Sequence, residues 1–184
     1  MLTTLVVGAN GLPVNTPMPH LPHVKEVVEA QDTKVACVGC TVKEQKTASY
    51  FYERGVTDRA ALAVILGNIK QESKFTPNIC EGGALIPYSH CRSGGYGLIQ
   101  WTSSHRYYGL GTYARSIGKT PEDFETQLEY ITKEREWKAA SGTFKTPGLN
   151  ISRYNKAAYV WLGWGITGRR VTYAYNYLPR IVIA

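Results

Sequence analysis

An apolar helical run, Ala60-Ala61-Leu62-Ala63-Val64-Ile65-Leu66-Gly67-Asn68-Ile69, turns polar over Lys70-Gln71-Glu72-Ser73 and precedes a loop rich in glycine and aromatics, Gly94-Gly95-Tyr96-Gly97-Leu98-Ile99-Gln100-Trp101. A carboxyl where such a helix meets such a loop is expected to lose hydration. Desolvation favours the protonated form and moves the pKa of Glu72 toward the range a general acid needs near neutral pH. Carboxylates are otherwise scarce here. Between Arg54 and Pro121 only Asp58, Glu72 and Glu81 occur, while Tyr88, Tyr96, Trp101, Tyr107 and Tyr108 crowd the same stretch. Few acids beside many flat faces suit a sugar polymer. The competing reading is a solvated glutamate in the last turn of a surface helix, and pattern alone does not separate the two.

With 184 residues and 43% hydrophobic content the chain can bury a real core and falls in the single-domain range. A net charge of +7 favours polyanionic partners, among them nucleic acid, anionic lipid and the acidic polymers of bacterial envelopes. The basic residues are scattered, which weakens the nucleic-acid case. Arg169-Arg170 and the stretch Lys43 to Lys46 read as solvated faces rather than a recognised nucleic-acid motif. No segment approaches the roughly 18 apolar residues of a membrane span, and the opening Met1-Leu2-Thr3-Thr4-Leu5-Val6-Val7-Gly8 lacks the positive n-region of a secretory signal.

The fold class expected is mainly α, with a short extended or β N-terminal arm. Residues 1 to about 45 carry Pro13, Pro17, Pro19 and Pro22 and short β-branched runs, so they read as an extended docking arm. From about residue 46 the pattern is helical. One run through Tyr50-Phe51-Tyr52-Glu53 stops at Gly55, and a second, capped by Thr57 or Asp58, reaches Ser73. A third is expected from Ser103 or Ser104 to Gly118. Thr120-Pro121-Glu122-Asp123 reads as a helix start, with threonine as N-cap and an unbroken helix to about Ala140. Two more are expected near residues 152–164 and 167–178.

The four cysteines leave several readings open. Cys80 and Cys91 bracket ten residues that a disulfide could staple over a cleft. His20-x2-His23, thirteen residues ahead of Cys37-x2-Cys40, approximates a zinc-ligand spacing, and four cysteines could also hold an iron–sulfur cluster. Histidines flanking Leu-Pro in a proline-rich arm are more often plain surface residues. His90 and His105 read as loop or surface residues.

Gly67-Asn68-Ile69-Lys70-Gln71-Glu72-Ser73-Lys74-Phe75-Thr76-Pro77-Asn78, followed by Gly95-Tyr96-Gly97-Leu98-Ile99-Gln100-Trp101, resembles the phage tail lysozyme family of the lysozyme-like superfamily. The same order is similar to goose-type lysozymes and soluble lytic transglycosylases. Gln127-Leu128-Glu129-Tyr130 resembles the family's next element, and the likeness covers about residues 46 to 178. It implies a lysozyme-like, peptidoglycan-cleaving domain over residues 46–184 that needs no cofactor. It further implies a place in the virion tail, partnership with other tail or baseplate proteins through the arm, and action on the host cell wall, with Glu72 in the family's acid position. The family usually carries an aromatic-Glu-Arg-Pro-like stretch in a later helix. Here Trp161-Leu162-Gly163-Trp164-Gly165 precedes Arg169-Arg170 without a glutamate, and the Cys80 to Cys91 insertion lengthens the loop beside the cleft.

Cleaving a β-1,4 glycosidic bond requires a proton for the leaving oxygen. It then requires a carboxylate base for water at roughly 6.5–9.5 Å, or a carboxylate nucleophile at roughly 5 Å. Glu72 can supply the proton, and Glu81 is the second carboxylate within reach in sequence. Without Glu81, Glu72 would act alone as acid and then base, with the sugar's 6-hydroxyl closing to an anhydro product, as the transglycosylase resemblance suggests. Ser73 and Gln100 are candidates for hydrogen bonds to sugar amide groups, and Tyr96, Trp101 and Tyr107 for stacking on pyranose faces. Core packing is the competing role for each aromatic. The alternative to an active muramidase or transglycosylase is a catalytically silent tail component that keeps the fold as a docking or glycan-binding module.

Overall fold

A computed structural model describes residues 34–92 and 94–184. The N-terminal residues, among them His20 and His23 of the metal reading, lie outside the described residues. Cys37 and Cys40 are bonded to each other as a disulfide.

Among the described residues the fold is mainly α, seven helices around one apolar centre. The centre is α2 (Arg59–Ser73). Its residues Ala61 to Ile69 are all buried, and a helix buried on every side must be wrapped by others. Helix α1 (Val42–Glu53), α5 (Arg135–Lys145), α6 (Ile151–Leu162) and α7 (Arg170–Tyr177) pack around it. Phe51, Trp137 and Trp161 close the core between α1, α5 and α6, with ring centroids of Phe51 and Trp161 at 4.8 and 5.0 Å from Trp137. Helices α3 (Ser104–Ser116) and α4 (Phe124–Lys133) complete the body.

The body begins ahead of residue 46. Strand β1 (Val35–Cys37) pairs antiparallel with β2 (Ile181–Ile183), with Val35 opposite Ile183. Helix α1 starts at Val42 because Thr41 and Glu44 form a capping box. The Thr41 hydroxyl accepts from the Glu44 amide at 3.3 Å, and the Glu44 carboxylate accepts from the Thr41 amide at 2.7 Å. The same buried carboxylate accepts a hydrogen bond from the Tyr177 hydroxyl and lies 3.5 Å from Lys70 Nζ, tying α1 to α2 and α7.

The single helix expected from Thr120 to Ala140 is two. Asp123, not Thr120, caps α4, accepting from the Thr126 amide at 2.7 Å, while the Pro121 carbonyl accepts from the Gln127 side chain at 2.6 Å. Glu134 then breaks the run with an extended backbone (φ −64°, ψ 148°). Its side chain turns inward to pair with Arg106 at 2.7 and 2.8 Å, a burial that a continuous helix would not allow.

Gly67 sets how closely α7 approaches α2. A Cβ there would stand 2.7 Å from the Ala174 nitrogen and 2.9 Å from the Arg170 carbonyl oxygen, both backbone atoms that cannot rotate away. Gly67→Ala is therefore expected to destabilise by about 2 kcal/mol, lowering the thermal midpoint by roughly 4–8 °C. Helix propensity alone favours alanine by about 1 kcal/mol, so a midpoint that rises or stays put refutes the contact argument.

Candidate active site

The end of α2 opens into a cleft of about 740 Å³. Gln71 and Glu72 come from α2, Glu81 and Gly95 from the loop that follows, and Arg106 from the first turns of α3. Ile99, Gln100, Thr102 and Ser103, the segment Leu162 to Ile166 and Arg170, the first residue of α7, complete the lining. Glu72 and Glu81 thus share one cleft.

Glu72 keeps 15% of its side-chain surface in solvent. Burial pushes its carboxyl above the ordinary 4.5, against the opposing pull of Arg170 and then of Arg106. Its position in the last turn of α2, where the helix dipole is negative, acts in the same direction as burial. The backbone beyond it is constrained. Lys74 and Phe75 hold φ of 51° and 61°, and Gln100, on the cleft wall, holds 54°. These are the only non-glycine residues with positive φ among the described residues; Gln100 lines the cleft, and Lys74 and Phe75 follow α2 directly. Such conformations cost about 1–3 kcal/mol each and persist where the surroundings enforce them.

Arg170 reaches Glu72 with 2.7 Å between Nη2 and Oε1, donates from Nη1 to the Asn68 side chain at 3.3 Å, and lies 4.4 Å from the Trp164 ring centre. It is 4% exposed, which corrects the reading of Arg169-Arg170 as a solvated face. Burial pushes the arginine down as it pushes the glutamate up, so desolvation outweighs the attraction on both sides of the pair. Arg169 donates its backbone amide to the Gln71 side chain at 2.8 Å while its guanidinium lies 5.3 Å from the Tyr173 ring centre, and Gly168 (φ 59°) leaves the room that Gln71 occupies.

Glu81 is held by the loop that Cys80 and Cys91 staple together. Its carboxylate accepts from the Gly95 amide at 3.1 Å, and its own amide donates to the Gly95 carbonyl at 2.8 Å. Gly94 makes the approach feasible, because a Cβ there would fall 2.0 Å from the Glu81 carboxylate. The side chain is otherwise open to solvent.

The remaining candidates separate. Gln100 lines the cleft, with its amide anchored to the Gly97 carbonyl at 3.0 Å. Ser73 does not face the cleft. It is 2% exposed and donates to the Leu98 carbonyl at 2.9 Å, pinning the glycine-rich loop to the end of α2. Tyr96 and Trp101 are wholly buried, Tyr96 donating to the Ile86 carbonyl and Trp101 packing on Tyr130, so both are floor rather than stacking surface. Tyr107 stands in an adjoining pocket, stacked on Tyr88.

Two residues that sequence reasoning gave no site role build the site from below. Buried Gln127 accepts from the Leu98 amide at 2.8 Å and donates to the Pro77 carbonyl at 2.7 Å, filling the space that glycine at position 97 leaves. Arg106 is clamped by Glu134 and faces the cleft from α3. The Gln-Leu-x-Tyr order was a signal for the first, whereas nothing in the local sequence marks the second.

The chain is 28% identical over 131 residues to Morphogenesis protein 1 of Bacillus phage B103, a match covering 66% of this chain and 33% of that protein, so the chain spans about a third of its relative. The sequence model described as phage tail lysozyme matches residues 42–163, from the start of α1 to the cap of α6. A helical body of this kind, with an acid at the mouth of its central helix and a match over most of its length, belongs to the phage tail lysozyme family.

Proposed function

We propose that this chain is the wall-cleaving part of a phage tail, hydrolysing the β-1,4 linkage between N-acetylmuramic acid and N-acetylglucosamine during entry. The observation that carries this reading is Glu72, a desolvated carboxyl with raised proton affinity at the wall of an open cleft. Glu72 gives its proton to the glycosidic oxygen as the bond to the anomeric carbon breaks. A water molecule adds to that carbon, and Glu81, on the same cleft, takes the water's proton. Gln100 presents its side-chain carbonyl oxygen as an acceptor, and Arg106 presents the N–H groups that Glu134 does not take, toward the sugar substituents. Other tail or baseplate proteins are the partners, docked through the N-terminal arm.

The test is digestion of purified peptidoglycan with mass spectrometry of the released muropeptides. Reducing N-acetylmuramic ends are expected, and Glu81→Gln should lower their rate of release by about 100-fold or more, the usual worth of a positioned base. Anhydro ends with Glu81→Gln near wild-type activity would replace hydrolysis by the lytic transglycosylase reaction of Glu72 alone.

The second reading is a catalytically silent docking or glycan-binding module. The 2.7 Å contact with Arg170 favours it, since a carboxylate held by a cation is a poorer proton donor. A folded wild-type protein that releases no products would select this reading.

A further inference from the structure

A second pocket adjoins the cleft, and the proposed function leaves it unused. It has a volume of about 310 Å³ and is reached from the cleft across Thr102, which lines both, and across the Gly94-Gly95 segment. We propose that this pocket is an outlying subsite that takes a further N-acetylhexosamine residue of the same glycan strand, stacked on Tyr108. The proposal rests on the reading of the cleft as a glycan site.

The pocket is built rather than incidental. Tyr88 and Tyr107 stack with centroids 4.2 Å apart and planes within 12°. Each hydroxyl donates to the other's backbone carbonyl, that of Tyr88 at 2.7 Å. The Tyr88 amide donates to Glu122 at 2.5 Å, and Gly111 leaves room for the Tyr88 hydroxyl, where a Cβ would stand 2.7 Å away. On the other side the Cys80–Cys91 disulfide holds the wall and places it beside Glu81. The hydroxyls of this tyrosine pair are spent on internal bonds, so the pair serves as a rigid wall.

Tyr108 differs from both. It is 66% exposed and meets Tyr107 edge-on at 5.6 Å. An exposed ring fixed against a rigid wall loses little freedom on binding and offers a flat apolar surface. Ser89, Arg92, Thr102 and Ser104 line the same pocket and supply hydroxyl and guanidinium chemistry beside it. A pyranose has one face of C–H groups and a rim of hydroxyl and acetamide groups, which is the complement of that set. Thr102 on the shared rim gives a strand lying in the cleft a direct continuation into the pocket.

The test is binding of peptide-free N-acetylglucosamine oligomers, two to six units long, to the full chain carrying Glu72→Gln, which prevents turnover. Affinity is expected to rise with length beyond the oligomer that fills the cleft. Adding Tyr108→Ala should remove about two- to tenfold of the affinity for the longest oligomer, the worth of one aromatic stacking contact, and leave the shortest unchanged. Tyr108→Trp should restore it. Because Tyr108 is exposed, an unchanged thermal midpoint will exclude misfolding. Equal losses at every length, or none at any length, overturn the subsite. A loss confined to peptide-bearing muropeptides also overturns it, in favour of stem-peptide recognition by Arg92. The two readings fail separately. Length-dependent loss without cleavage by wild-type protein keeps the subsite and removes the enzyme, and cleavage without Tyr108 dependence does the reverse.

Discussion

Glu72→Gln should abolish peptidoglycan cleavage, lowering the turnover rate by about 100- to 10,000-fold, the range a positioned general acid contributes. Glutamine matches glutamate in shape and can still accept from Arg170, so the 2.7 Å contact survives as a neutral hydrogen bond. What it lacks is a proton to give to the glycosidic oxygen. Burial already opposes the ionised carboxylate, so replacing it with a neutral amide relieves one desolvation cost while leaving the buried Arg170 without its counter-ion. These contributions oppose each other, and the helical spectrum and a cooperative melt should be retained. Muropeptide release by the variant within tenfold of wild type would remove Glu72 from the reaction, whatever its effect on stability.

Glu72 stood out in the sequence as the candidate acid because two one-dimensional signals coincide there, the end of an apolar run and the nearness of a glycine-rich loop. Helix starts were legible to within one residue at α2 and α3, where Asp58 rather than Thr57 accepts from the Ala60 and Ala61 amides and α3 begins after Ser103. The start of α4 was misread, because Asp123 offers a carboxylate to the Thr126 amide and the Pro121 carbonyl accepts from Gln127 instead of opening the helix. The break at Glu134 has no local signal, since its cause is Arg106 in another helix. Residue type was likewise a poor guide to facing. Ser73, Tyr96 and Trp101 carry the chemistry of a sugar site, yet each supports the loop from beneath. Arg170 is the sharpest case. It lies beyond the stretch matched by the family, beside a second arginine that differs from it only in which way its side chain turns.

Arg170→Met tests that partner directly, and its effects on stability and on activity differ in their dependence on pH. Methionine keeps much of the packing on Trp164 and removes the charge. Glu72 has a folded-state pKa already above its ordinary 4.5, so between those two values the folded protein holds more protons than the unfolded chain. Stability linked to this group is therefore greatest at low pH and falls as pH rises through that window. Removing the cation that pulls the pKa down raises it further and extends the window upward. At neutral pH the variant should lose about 3 kcal/mol, the lower end of the cost of orphaning one member of a buried pair, because Glu72 retains some contact with solvent. Below the ordinary pKa the carboxyl is protonated in both proteins, and the gap should shrink to the packing difference. Denaturant melts at acidic and neutral pH measure the two values. A gap that does not change with pH would mean that Arg170 serves packing alone. Activity should respond in the opposite sense at high pH. Glu72 without Arg170 keeps its proton to higher pH, so the alkaline limb of the pH–rate profile should move upward even where the maximal rate falls. A limb that stays in place would show that Arg170 does not set the proton affinity of the acid.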